Sequence, residues 1–138
     1  MKQKIKYENL NAKQKESYNF QKISAVFADY GYVTIKLDDD WEGADFIAMR
    51  TYKGTSSFIK VQLKSRLTID KKYMNKDLFI GFSSEDNSIW YLVPHDEILD
   101  FLKLKKPSVL ESNSWQKGNY HFPRLDKVLL KELEQYKI

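Results

Sequence analysis

ADFIAMRTY at residues 44–52, KG at 53–54 and TSSFIKVQLK at 55–64 form the stretch on which the fold turns. Both runs carry β-branched and aromatic residues, and Lys53-Gly54 between them is a two-residue turn of the kind that closes antiparallel hairpins. A symmetric turn at that point fixes every cross-strand neighbour. Ala44 then faces Leu63, Phe46 faces Val61 and Ala48 faces Ile59, an apolar set that marks one side of the hairpin as core-facing. The other side sets Asp45 opposite Gln62. Strand periodicity adds Lys60 and Lys64 to that side, with neighbouring β-carbons about 5–8 Å apart. A carboxylate, an amide and an ammonium beside a core strand are the candidate chemical centre.

Working outward, Asn11 and Gln14 stand at capping-box spacing, and Phe20, Ile23, Val26, Phe27 and Tyr30 recur at helical intervals. This predicts an amphipathic helix that stops at Gly31. Val33, Ile35 and Leu37 alternate with Thr34 and Lys36 as a half-buried strand, and the acidic run from Asp38 is expected to break it. Trp41, beside those acids, is expected to pack in the core rather than to stack on a base. Downstream, Arg66 to Lys76 fits no single pattern. Leu78, Ile80 and Phe82 predict a strand, Ser83 to Ser88 a polar turn, and Ile89 to Val93 a strand closed by Pro94. Helical spacing returns at Ile98, Leu99, Phe101 and Leu102, and again at Leu125, Val128, Leu129 and Leu133. The expected class is α/β in the α+β sense, a mixed sheet of about five strands flanked by helices. Only a short helix fits between Lys64 and Leu78, which leaves antiparallel pairing of the strand at Leu78 open.

The chain has 138 residues, 42% hydrophobic, which suits one domain over 1–138. Cysteine is absent, removing disulfide staples, thiolate metal sites and a cysteine nucleophile. Met1 to Leu10 has no apolar h-region, and no run approaches the roughly 20 apolar residues of a membrane span. The cytoplasm is therefore the expected compartment. His95 and His121 stand far apart and make no metal motif, and no Gly-rich phosphate loop is present. The net charge of +4 is segregated. Asp38, Asp39, Asp40, Glu42 and Asp45 cluster first; Lys60, Lys64, Arg66, Lys71, Lys72 and Lys76 follow. Such runs are most often solvated surface, but acids beside bases also suit a site that holds a cation and a polyanion together.

Asp40, Gly43 and Asp45, followed by Val61-Gln62-Leu63-Lys64-Ser65, resemble the motif of the PD-(D/E)XK nuclease superfamily, in the variant with Gln-x-Lys found among small homing-type endonucleases and uncharacterised prokaryotic domains. The resemblance runs from about residue 11 to residue 93. It implies a restriction-endonuclease-like sheet and hydrolysis of DNA phosphodiesters with Mg²⁺ or Mn²⁺. Asp45 would be the main metal ligand, joined by the Gln62 amide oxygen and the Leu63 backbone carbonyl. Lys64 would orient the water or offset charge on the phosphorane. Gln62 in place of a Glu removes one negative charge. Glu16, on the helical stripe of Phe20, Ile23 and Phe27, is the first carboxylate that compensates, and Asp40 the second. Arg66, Lys71, Lys72 and Lys76 would grip DNA phosphates, and a homodimer is expected if both strands of a duplex are cut. The competing expectation is a nucleic-acid-binding module or accessory subunit that keeps the fold without turnover.

Overall fold

A computed structural model describes residues 2–138. The first helix, α1 (Ala12–Asp29), forms with the full capping box: the Gln14 N–H donates to Asn11 Oδ1 at 2.8 Å and the Asn11 N–H to Gln14 Oε1 at 2.9 Å. The chain turns away at Gly31, where a φ of 79° favours glycine. Three strands follow as a meander: β1 (Val33–Trp41), β2 (Ala44–Tyr52) and β3 (Thr55–Leu63). Glu42-Gly43 and Lys53-Gly54 join them, with positive φ at all four residues. That is the type I′ geometry matched to the twist of paired strands.

The β2–β3 register is the one the Lys53-Gly54 turn predicts, from Tyr52 opposite Thr55 to Phe46 opposite Val61. The acidic run, by contrast, does not break β1. Pairing with β2 is regular as far as Lys36 opposite Phe46 and resumes at Trp41 opposite Ala44, with an irregularity between. Asp38, Asp39 and Asp40 are exposed on this edge strand, where carboxylates keep their water and cost the strand little. Trp41 is also exposed at 51%, not buried, because it ends the edge strand beside a tight turn.

Residues 66–76 hold a short strand, β4 (Thr68–Asp70), and a single 3₁₀ turn over Lys71–Tyr73. The expected hairpin of β5 (Leu78–Ser83) and β6 (Trp90–Pro94) comes next. Then follow α2 (His95–Lys105), two one-turn helices α3 (Pro107–Leu110) and α4 (Asn113–Gln116), β7 (Asn119–His121) and α5 (Lys127–Leu133). The main sheet has the order β1-β2-β3-β5-β6. β5 lies parallel to β3, with Lys60 opposite Leu78 and Leu63 opposite Gly81, and every other pair is antiparallel. The link between β3 and β5 carries no α-helix; β4 leaves the main sheet and pairs antiparallel with β7.

Alternation along the strands divides the core between the two faces of this sheet. Phe46, Ala48, Val61 and Trp90 pack with Ile23 and Phe27 of α1. Ile47, Ile80, Phe82, Tyr91 and Val93 pack with α2 and α5 on the opposite face. Helix α1 sits directly on β5 at Gly81, where a Cβ would fall 2.8 Å from Ile23 Cδ1. Phe20 meets Phe46 edge-on at 5.3 Å. The early turns of α1 are thereby held over the place where β2 begins and β3 ends.

Candidate active-site cleft

A cleft of about 390 Å³ opens at that place, lined by Glu16, Asn19 and Phe20 from α1, Lys36 from β1, Asp45 and Phe46 from β2, and Leu63, Lys64 and Ser65 at the end of β3. Antiparallel pairing puts the first residues of β2 beside the last of β3, which is why Asp45 and Lys64 meet although they are distant in sequence. The Leu63 N–H donates to Asp45 Oδ2 at 2.8 Å, so the carboxylate satisfies an amide at the end of the β2–β3 ladder. The next amide, Lys64 N–H, donates to the Gly81 carbonyl at 2.9 Å and ties the strand end to β5. Both bonds fix the backbone around the acid.

The Asp45 carboxyl is held above its ordinary pKa, first by burial, and further by the like charges of Asp40 and Glu16; the Leu63 N–H and the Lys64 ammonium oppose the shift. An acid that is partly desolvated and faced by two other acids is in a setting that a cation relieves. Glu16 pairs with Lys36 at 3.5 Å, both side chains largely in water, so that contact is worth at most about 1 kcal/mol and releases Glu16 readily.

Gln62 behaves differently. Its side chain is buried at 8% exposure, is absent from the cleft lining, and leaves Oε1 without a hydrogen-bond partner. The cleft therefore gathers Asp45, Lys64, Glu16 and the Leu63 position, with the Gln62 side chain outside it. Two lining residues were not marked by the sequence. Asn19 donates from Nδ2 to the Tyr7 hydroxyl at 2.9 Å and keeps a buried Oδ1 without a partner; its spacing of three from Glu16 was the only available signal. Lys36 carried none beyond its place in a strand.

The basic residues of the 66–76 segment do not form one row. Arg66 and Lys76 are exposed. The Lys71 ammonium lies 5.6 Å from the Trp115 ring and 3.4 Å from the Gln116 carbonyl, while Lys72 lies 3.9 Å from Asp70 and over the Tyr73 ring. Lys71 and Lys72 are thus partly engaged with their own surroundings. Lys60, on the Gln62 side of β3, pairs with Glu42 at 3.0 Å, donates to the Lys76 carbonyl, and lies 5.7 Å from the Trp41 ring.

Neither histidine lines the cleft. His95 is buried, its Nε2 accepting the Asp70 N–H at 3.0 Å and its Nδ1 lying 3.2 Å from Asp96; burial lowers its pKa. His121 Nδ1 lies 2.9 Å from Thr68 Oγ1. Among the described residues, no three of His, Cys, Asp and Glu converge as a metal-binding group, and no helix is long and apolar enough to cross a membrane.

No family model matches the sequence, and no curated protein does. Among solved structures, the chain is similar to the bacterial homing endonuclease I-Ssp6803I, with 17% sequence identity, 86% of this chain and 80% of that chain covered, and a TM-score of 0.48.

Proposed function

We propose that this chain is a metal-dependent DNA endonuclease whose working residues are Asp45, Lys64 and Glu16, with Gln62 beside them. The observation that carries the proposal is a partly buried carboxylate, Asp45, in one cleft with Glu16 and with a lysine at the end of the neighbouring strand. Hard divalent cations such as Mg²⁺ or Mn²⁺ take oxygen donors, and the cleft offers the Asp45 and Glu16 carboxylates with Leu63, whose backbone carbonyl is a further donor; the Gln62 amide oxygen lies outside the lining and would reach the ion only if its side chain turned. The raised proton affinity of the Asp45 carboxylate, set by burial, is what a bound cation would relieve. When bound, such an ion polarises the scissile phosphate and acidifies a bound water.

The chain's own groups do the rest. Lys64 offsets negative charge that grows on the phosphorane, and Lys36 draws the phosphate toward the cleft. Glu16, released from Lys36, adds the carboxylate that Gln62 lacks. One cleft per chain cuts one strand, so cutting both strands calls for two copies.

A second reading, a nucleic-acid-binding module without turnover, is favoured by two observations: the Gln62 side chain lies outside the cleft, and among the described residues no three acidic or imidazole groups converge. Nicking of supercoiled plasmid during a Mg²⁺ or Mn²⁺ titration separates the two. The nuclease reading expects nicking that saturates with metal, stops with chelator and falls about 10²–10³-fold in Lys64→Ala, the usual loss on removing one group that stabilises transition-state charge. Salt-dependent DNA binding without nicking at any metal concentration establishes the silent module instead.

A further inference from the structure

Beside the cleft lies a smaller pocket of about 90 Å³, and Ser65 lines both. Arg66 and Arg124 stand on its rim, over a floor that includes the buried rings of Phe82 and Phe122. Distant in sequence, the two arginines line one pocket. Pairing of β4 with β7 is extended by the Phe122 N–H, which donates to the Leu67 carbonyl at 3.0 Å, and so brings the segments that hold Arg66 and Arg124 together.

Arg66, Arg124 and Ser65 bring side-chain donors to this pocket. Ser83 and Ser84 also line it, but their hydroxyl protons are committed to Asn87 at 2.9 Å and Asp86 at 2.6 Å. Among the described residues neither arginine enters an ion pair, whereas Lys60, Lys72 and Lys106 each have a carboxylate. Exposed Glu85 is the one carboxylate on the rim. Two cationic side chains on one pocket, without an ion-pair partner, draw an anion to it. Guanidinium forks suit phosphate oxygens in particular. The pocket has room for a phosphate group.

We infer that this pocket is a phosphate subsite in which Arg66 and Arg124 jointly hold one backbone phosphate of the DNA strand whose scissile phosphate lies in the cleft. The inference rests on the nuclease reading of the cleft. Continuity through Ser65 is what assigns the phosphate to the same strand rather than to a free anion.

The test is binding of a labelled 20-base-pair duplex by fluorescence anisotropy in Ca²⁺ across a salt series, for wild type, Arg66→Ala, Arg124→Ala and the double variant. One shared phosphate predicts that each single variant loses about tenfold in affinity. The double variant loses little more, and the slope of log K against log salt shrinks by about one. Both side chains are exposed, so the fold should tolerate the changes; circular dichroism checks this. The charge-keeping Arg66→Lys, Arg124→Lys pair should recover the salt slope but only part of the affinity. Additive losses with a slope change of about two mean two independent surface charges and overturn the subsite. Variants that bind as wild type also overturn it while leaving the cleft untouched. A wild type that binds no DNA removes the nuclease reading and this subsite together.

Discussion

Asp45 holds its charge against burial, and the sign of that cost is testable. Its folded-state pKa is raised, so its contribution to stability is present below the unfolded value near 3.8 and is lost as pH rises through the folded value. At pH 7 the ionised group is a net burden, and Asp45→Asn, which keeps an oxygen for the Leu63 N–H, should raise Tm in metal-free buffer. Each kcal/mol relieved is worth about 3–5 °C in a chain of this size, and the gain should fade toward pH 3. Added Mn²⁺ should raise the wild-type Tm and leave Asp45→Asn where it was. A thermal melt across pH and metal reads both effects.

His95 has the opposite logic. Its Nε2 accepts a buried N–H, so a proton there sets donor against donor, and burial lowers its pKa. Its contribution is intact above the unfolded value near 6.5 and is lost as pH falls below that toward the folded value. The fall in Tm between pH 7.5 and 5 should be shallower in His95→Gln than in wild type, even if that variant starts lower.

At the scale of elements, the helix–sheet contact at Gly81 sets the position of α1 and hence of Glu16 and Asn19. Gly81→Ala forces a methyl within 2.8 Å of Ile23 Cδ1 and 3.1 Å of Val61 Cγ1, which should cost about 1–3 kcal/mol by denaturant titration. Asn11→Ala removes the side-chain acceptor of the Gln14 N–H, one half of the α1 capping box, and should cost about 1 kcal/mol. These elements were legible in the sequence because their signals are local: a cap at fixed spacing, a helical stripe, and a two-residue turn that dictates register. β1 outran its expected end because exposure on an edge overrides the poor strand propensity of Asp. β4 and β7 were not legible, since three-residue strands carry almost no periodicity and Thr68 finds its partner only at His121. The parallel placement of β5 on β3 was equally hidden, being set by the path of residues 64–77 rather than by any residue within the strands.

At the scale of the whole molecule, the cleft exists because three separate pieces arrive together: the start of α1, the start of β2 and the end of β3. Asp45 and Lys64 were readable as neighbours because one hairpin joins them, and Glu16 because its helical stripe faces the sheet. Gln62 was assigned to the same group by strand alternation, yet its side chain is buried outside the lining, where alternation says which face it takes but not how deeply that face is covered. Asn19 and Arg124 came to light only from the folded chain, the first because an orphaned oxygen is a property of packing, the second because its neighbour Arg66 is contributed by a distant segment. In the nuclease reading, Asp45 and Lys64 act on a phosphodiester in this cleft. Single-turnover cleavage of a labelled duplex, in Mn²⁺ and in chelator, tests it most directly. Metal-dependent cleavage should fall at least about 100-fold in both Asp45→Asn and Lys64→Ala with DNA binding retained; cleavage that survives both substitutions at the wild-type rate removes Asp45 and Lys64 from the chemistry.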